Sequence, residues 1–350
     1  GMRRLLDEAV AEGEIAGAAL GIGKNGIVAF EYTAGYLDLG GEELEEVTPE
    51  TLFDVASLTK PAATAAAAGL LFCRGVLDPE STRAGYALDR HLRHQTDLPV
   101  YVDYRAVALE RAAGMTPAEA IEAMLAKDNA QGGPSVRRGG YSNLGYVFVA
   151  DAVEERIGEP MGGFLGAELW EPLGMTHTTF QPPGDASVAR TTKDLPAGEP
   201  YDPLASYIAQ NHAGDPGHSG LFSTARDLTL FAQALLFPES VNLADMGCLS
   251  AYLLKGELEG LAPPAAESGV GFSRGGGDRT PGFARDRQTG IAPPPFEHSG
   301  YTGTYLWLDP ASGFSVVLLT NAVHTDPEAN NWQGLRDEVL ALLGRGQQTD

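Results

Sequence analysis

Ser57 and Lys60 stand three residues apart in Asp54-Val55-Ala56-Ser57-Leu58-Thr59-Lys60-Pro61. On a helix, that spacing puts both side chains on one face. A serine hydroxyl becomes a nucleophile when a base takes its proton, and a lysine serves as that base only if burial or nearby positive charge lowers its pKa. A serine at a helix start also lies among backbone N–H groups that lack intrahelical partners, and these can hold a developing negative charge. The stretch thus offers a nucleophile, its base and half of an oxyanion site in one turn. Taken alone, Ser-x-x-Lys is a short pattern, and a serine at a helix start commonly serves as an N-cap.

Two further groups could complete a proton relay and a binding edge. Tyr141-Ser142-Asn143 follows Arg137-Arg138-Gly139-Gly140 and precedes a helical stretch, so it is expected on a loop tip. Its plainer reading is a helix cap, with Ser142 or Asn143 capping and Tyr141 as a hydrophobic staple. His-Ser-Gly occurs twice, at His218-Ser219-Gly220 and at His298-Ser299-Gly300. The second runs into the strand-like Tyr301-Thr302-Gly303-Thr304-Tyr305-Leu306-Trp307, and a strand edge could supply the second oxyanion N–H and bind an extended substrate. The first precedes a capped helix and offers this less readily. His298 is therefore assigned to the site and His218 to a loop. Gly300 and Gly303 are expected to let substrate approach the backbone.

The elements that must position these groups follow from periodicity. Residues 51–55 favour a strand, which runs into the Ser57 helix. Pro61 falls in the first turn, where its missing N–H costs little. Ala62, Ala63, Ala65, Ala66, Ala67 and Ala68 leave almost no side-chain bulk, so this helix is expected to be central and buried, with Gly75 as its C′ residue. Residues 2–12 read as an amphipathic helix. Residues 16–23 and 27–35 read as strands joined at Lys24-Asn25-Gly26, a hairpin signal. The same glycines spell Gly21-x-Gly23-x-x-Gly26, but a dinucleotide fingerprint must open a helix, and this one opens a strand. Residues 36–50 form an acidic loop. From about 76 to 255 the pattern is mostly helical, with helices at 117–127, 145–157, 163–170 and 225–236. Long Gly/Pro-rich loops are read at 128–140 and 181–220, and residues 262–297 as irregular. Strands resume at 303–308 and 314–320, and a helix spans about 331–344. This gives an α+β chain: one antiparallel sheet built from both termini, flanked by helices, with a helical lobe inserted. The expected boundaries are residues 1–80 with 256–350 for the sheet domain and 81–255 for the helical domain, with the active site in the cleft between them.

With 350 residues, 43% of them hydrophobic, the chain can bury a substantial core. A net charge of −23 argues against nucleic acid and anionic membranes as partners. No run approaches the length of a membrane span. Cys73 and Cys248 lack metal spacing, Cys73 reads as a small core residue, and nothing in the pattern asks for a disulfide. Gly1 reads as a residue added ahead of a native Met2, which implies no signal peptide and a cytoplasmic protein. An exported protein whose signal has been removed is the alternative. The oligomeric state is not legible.

In order, Ser57-x-x-Lys60, Tyr141-Ser142-Asn143 and His298-Ser299-Gly300 resemble the three motifs of the serine β-lactamase and penicillin-binding DD-peptidase superfamily. The tyrosine in the second motif is similar to the class C β-lactamase branch. Leu52 to Pro61, Glu171-Pro172-Leu173-Gly174-Met175 and Gly220 to Leu228 also resemble that branch, so the likeness covers nearly the whole chain. It implies a β-lactamase/transpeptidase-like α/β fold and a serine hydrolase working through an acyl-serine on an amide, β-lactam or ester substrate. In that scheme Ser57 attacks the carbonyl, and Lys60 and Tyr141 move its proton and later activate water, with the identity of the base open. Asn143 binds the substrate amide, and the backbone N–H groups of Ser57 and Tyr301 form the oxyanion hole. No metal or organic cofactor is implied.

Two departures qualify the resemblance. His298 stands where β-lactamases of this branch usually carry lysine, which weakens the attraction for a β-lactam carboxylate. Histidine there is similar to certain DD-peptidases, aminopeptidases and esterase-like relatives. The segment Arg90 to Pro99 is a degenerate form of a family stretch and is expected to lie clear of the catalytic triplets. Two other classes compete: a catalytically weak penicillin-binding-like protein acting as a ligand or cell-wall sensor, and a nucleotide binder. Filled catalytic positions speak against the first, and the hairpin at Gly23 against the second.

Overall fold

The computed structural model describes residues 1–40, 44–111, 114–130, 140–211, 214–255, 279–280, 283–285, 295–325 and 332–347. Helix α1 (Met2–Ala11) buries Leu6 and Ala9. Strands β1 (Gly17–Lys24) and β2 (Ile27–Gly35) form the first hairpin. Asn25 and Gly26 turn it with φ of 53° and 84°, the positive pair that a two-residue hairpin turn requires. Strand β3 (Phe53–Asp54) leads into the nucleophile turn and helix α2 (Ala65–Cys73). Helices α3 (Asn143–Ile157) and α4 (Pro203–Asn211) follow, then β4 (Phe222–Ser223), α5 (Ala225–Leu236) and α6 (Met246–Ser250). Short strands β5 (Arg279–Thr280) and β6 (Phe283–Arg285) precede β7 (Phe296–Gly300), β8 (Thr304–Asp309) and β9 (Phe314–Thr320). Helix α7 (Trp332–Gln347) closes the described chain.

Among the described residues, seven strands form one antiparallel sheet in the order β2-β1-β9-β8-β7-β6-β5, so both ends of the chain build it, as the sequence implies. Leu20 lies opposite Leu318, Leu306 opposite Val317 and His298 opposite Leu306. Alternation then sorts the faces. Leu20, Trp307, Val316 and Leu318 pack with Leu6, Trp332 and Val339 of the terminal helices. Leu306, Leu308, Val317 and Leu319 join the larger core that contains α2 and α5. The glycines of β1 have a packing reason. A Cβ at Gly21 would lie 2.9 Å from the Ala225 carbonyl oxygen and would also strike Thr229 Oγ1, so α5 lies directly on the strand. Gln233 of α5 fixes the contact by donating to Ser315 Oγ at 2.9 Å and accepting from the Gly26 N–H at 2.8 Å.

The alanine-rich helix is the most enclosed element of the larger core. Ala62, Ala63, Ala65, Ala66, Ala67 and Ala68 are all fully buried. Small side chains let neighbours close in: a Cβ on Gly69 would stand 2.7 Å from Leu249 of α6. Gly75 ends the run at φ 64°, donating its N–H to the Phe72 carbonyl at 3.0 Å.

Two expectations are corrected at this level. Residues 181–220 are not one loop. Helix α4 lies inside them, begun by Asp202, whose Oδ1 accepts the N–H groups of Leu204 and Ala205, both at 2.9 Å. An Asp-Pro start is a helix signature that proline and glycine content obscured. The two cysteines do pair: Cys73 at the end of α2 and Cys248 in α6 form a disulfide across 175 residues of sequence. The packing of α6 on α2 brings them together, and nothing in their local sequence announces it. The expected loop at 128–140 falls mostly outside the described residues, as does most of 262–297.

Candidate active site

The chain reaches Ser57 through a strained turn. Ala56 takes φ 47°, a left-handed conformation uncommon for a residue with a side chain. Asp54 holds it there: one carboxylate oxygen accepts the Ala56 N–H at 2.9 Å and the other accepts the Tyr201 N–H at 2.8 Å. Complete burial pushes the Asp54 carboxyl up to about 6 despite these donors. Residues Ala56–Leu58 make one tight turn, and Lys60–Thr64 a wide one in which the Ala65 N–H reaches back five residues to the Lys60 carbonyl. Wide turns of this kind recur at functional sites. Here the wide turn falls at Pro61, which has no N–H to give.

Ser57, Lys60 and Tyr141 come together. Lys60 Nζ donates to Ser57 Oγ at 2.9 Å, and the Tyr141 hydroxyl donates to the same Oγ at 3.0 Å. Lys60 is 0% exposed. Its ammonium lies 4.9 Å from the Tyr141 ring centroid and 5.6 Å from that of Tyr146, contacts that favour the charged form. Desolvation outweighs them and the attraction of Asp202, bringing Lys60 down to about 7. The lysine is therefore close to balanced between amine and ammonium at neutral pH.

Ser142 sits at the start of α3 without making a capping bond. Its hydroxyl donates instead to the Pro99 carbonyl at 2.6 Å, and its N–H donates to His94 Nδ1 at 3.1 Å. His94, at φ 54°, lays its ring 4.3 Å from the Tyr141 ring and 5.1 Å from that of Tyr146. This corrects the reading of residues 90–99: the degenerate segment touches the second triplet and buttresses its tyrosine. Asn143 donates its N–H to the Val100 carbonyl at 2.9 Å. Its side-chain oxygen is buried and has no hydrogen-bond partner among the described residues.

His298-Ser299-Gly300 is the end of β7, and β7 rests against the nucleophile turn. Thr304 Oγ1 donates to the Val55 carbonyl at 3.0 Å, and Thr302 Oγ1 to the Asp54 carbonyl at 2.7 Å. A Cβ on Gly300 would lie 2.6 Å from that Val55 oxygen and 3.1 Å from Ala56 Cβ. One on Gly303, at φ 95°, would stand 2.7 Å from Ala322 Cβ. Both glycines thus make room for the protein's own neighbours. The His298 ring lies 6.5 Å from that of Tyr141, with Nδ1 3.0 Å from the Ser299 carbonyl oxygen. Tyr301 follows directly, 63% exposed, its ring stacked at 5.5 Å on Tyr201. Among the described residues, β6 pairs with β7 only at Phe296 and Glu297.

His218 also reaches Lys60 and is 1% exposed. Its carbonyl accepts the second Lys60 Nζ bond at 2.8 Å. Its ring meets the Pro216 carbonyl oxygen through Nδ1 at 2.7 Å and Asp202 Oδ1 through Nε2 at 2.9 Å. Asp202 and His94 are the residues near the serine that sequence reasoning passed over. The helix-start signature at Asp202-Pro203 could have found the first, whereas His94 had no local signal.

Among the described residues, no group of three or more His, Cys, Asp or Glu could hold a metal ion, and no helix is long and apolar enough to cross a membrane.

Comparison with known proteins bears on the fold and the family. A putative D-alanyl-D-alanine carboxypeptidase of Escherichia coli O157:H7 is 26% identical over 81% of this chain and 73% of its own length. The octameric penicillin-binding protein homologue from Pyrococcus abyssi superposes with a TM-score of 0.67 at 20% identity, covering 97% of this chain and 76% of that one. A class C β-lactamase superposes with a TM-score of 0.65 at 18% identity, covering 91% of each chain. The Beta-lactamase family model matches residues 2–341, and the chain belongs to that family of serine hydrolases.

Proposed function

We propose that Ser57 is the acylated nucleophile of a hydrolase acting on peptide-like acyl donors ending in a D-amino acid, with Lys60 as its base. The single observation that carries this reading is the convergence of two proton-handling groups on one oxygen: Lys60 Nζ at 2.9 Å and the Tyr141 hydroxyl at 3.0 Å from Ser57 Oγ. A lysine held to about 7 by burial can take a proton from serine at neutral pH. As Oγ bonds to the substrate carbonyl carbon, its proton passes to the Lys60 amine. The N–H groups of Ser57 and Tyr301 receive the oxyanion. Tyr141 then relays a proton to the departing amine, the C–N bond breaks, and an ester on Ser57 remains. Water attacks that ester, its proton passes through Lys60 and Tyr141 to Ser57 Oγ, the ester C–O bond breaks, and the acid leaves with Ser57 restored. The buried, unpartnered Asn143 oxygen accepts an N–H of the substrate amide. The substrate runs along the outer edge of β7 beyond Glu297, in the cleft between a sheet domain and a helical domain.

The D-amino-acid preference rests on the carboxypeptidase relative and on His298 in the third triplet, where a permanent cation for a β-lactam carboxylate would be lysine. The Cys73–Cys248 disulfide supports an oxidising compartment, and so an exported enzyme instead of the cytoplasmic one expected from the sequence. The deciding experiment is a panel of D-Ala-D-Ala peptides, D-amino-acid amides, short acyl esters and nitrocefin. The reading expects the highest kcat/KM on a D-amino-acid donor. Turnover of nitrocefin above all the others would overturn the substrate assignment.

A further inference from the structure

The loop that carries His218 is locked to the nucleophile helix at every turn. Thr64 Oγ1 donates to the Gly217 carbonyl at 2.5 Å, and the Leu221 N–H donates to Thr59 Oγ1 at 3.1 Å. The Val55 N–H donates to the Leu221 carbonyl at 3.0 Å. Gly217, at φ 64°, wedges against α3, where a Cβ would lie 2.5 Å from the Tyr146 carbonyl oxygen. The His218 carbonyl is thereby aimed at Lys60 Nζ. Behind it, the imidazole spans two acceptors, the Pro216 carbonyl and the Asp202 carboxylate. A carbonyl accepts only, so Nδ1 carries a proton. Burial would push Asp202 up, but His218, the Ala205 N–H and Lys60 bring its carboxyl down to about 2, so it is ionised and offers Nε2 an acceptor.

We propose that Asp202 and His218 are positioning residues for Lys60: the pinned imidazole fixes the carbonyl that receives the lysine, and its charge takes up the Asp202 carboxylate so that Lys60 can stand as a free amine beside Ser57. The proposal rests on the reading of Lys60 as the base. Its physics is a competition for one carboxylate. Asp202 favours the charged form of Lys60, and a cation bound to Asp202 on its other side weakens that pull. Without the imidazolium, Lys60 becomes the remaining cation facing Asp202 and holds its proton to higher pH. The other titratable groups in reach are Tyr141 and Tyr146 around Lys60, His94 and His298 against Tyr141, and Asp54 and Tyr101 beside Asp202.

The test is the pH dependence of Ser57 phosphonylation by a fluorophosphonate, read by intact mass on the full chain. Wild type should label faster as pH rises through about 7, the value to which Lys60 is brought. His218→Gln keeps the loop backbone and removes the charge, and should move that midpoint up by on the order of one pH unit. The Asp202→Asn, His218→Gln double variant should return it to the wild-type position or below, because the carboxylate is gone. A midpoint unmoved in His218→Gln, or equally raised in the double variant, overturns the proposal. Should His218→Gln not fold, Asp202→Asn decides alone: asparagine keeps the helix cap, the midpoint should stay or fall, and a rise overturns the proposal. A wild-type chain that takes no label at Ser57 would instead overturn the proposed function, so the two failures are distinguishable.

Discussion

The chain spells His-Ser-Gly twice, and both copies border the segment that carries Ser57 and Lys60. His298-Ser299-Gly300 is a strand end, held against the Ser57 turn by Thr302 and Thr304. His218-Ser219-Gly220 is a loop sewn to α2, with its imidazole turned away from Ser57 toward Asp202. Identical letters take different work because their neighbours differ. An alternating apolar run after Gly300 builds a sheet strand, whereas Pro216-Gly217 before His218 forces a bend into the interior. In the proposed reaction, one copy offers a backbone edge to the substrate. The other offers a carbonyl to the group that works there.

The largest test of this contrast is the residue both copies serve. Ser57→Ala should lower p-nitrophenyl ester hydrolysis by about four orders of magnitude or more, and unchanged turnover would mean that neither triplet flanks the nucleophile. Lys60→Ala and Tyr141→Phe should each lower kcat/KM by about a hundredfold or more. A much smaller loss in Lys60→Ala would free the His218 carbonyl of any part in the reaction. The two glycines separate the copies by stability. Gly300→Ala drives a methyl toward the Val55 oxygen, and Gly220→Ala forces a side chain at φ 96° toward Pro216. Each should cost about 1–3 kcal/mol in urea unfolding. Gly300→Ala should also disturb Ser57 acylation more strongly, since its methyl meets Val55 and Ala56 of the nucleophile turn itself, whereas that of Gly220→Ala meets Pro216 and Ala205. The smallest effect belongs to charge: His298→Lys should lower KM for a β-lactam by about tenfold, the equivalent of ~1.4 kcal/mol, whereas His218→Lys should bring no such gain.

What the sequence made legible was local. Ser57 and Lys60 stand three residues apart, Tyr141 and Asn143 open a helix, and the hairpin at Asn25 carries its own turn chemistry. That one sheet draws on both ends of the chain followed because the strands there need partners. What stayed hidden were pairs made only by packing: Cys73 with Cys248, His218 with Asp202, and His94 with Tyr141. None has a fixed spacing, and each depends on how two elements dock. Gly300 and Gly303 show the same limit. Their lack of side chains was evident, but whether substrate or the protein's own Val55, Thr304 and Ala322 filled the space depended on tertiary approach.

The central claim is that Ser57 is the acylated residue, activated by a lysine that burial has brought near neutrality. Intact mass and peptide mapping after incubation with a fluorescent penicillin or a fluorophosphonate test it most directly. The account predicts a single adduct at Ser57, absent in Ser57→Ala and formed more slowly as the pH falls below about 7. An adduct elsewhere, or none with either probe, would contradict it.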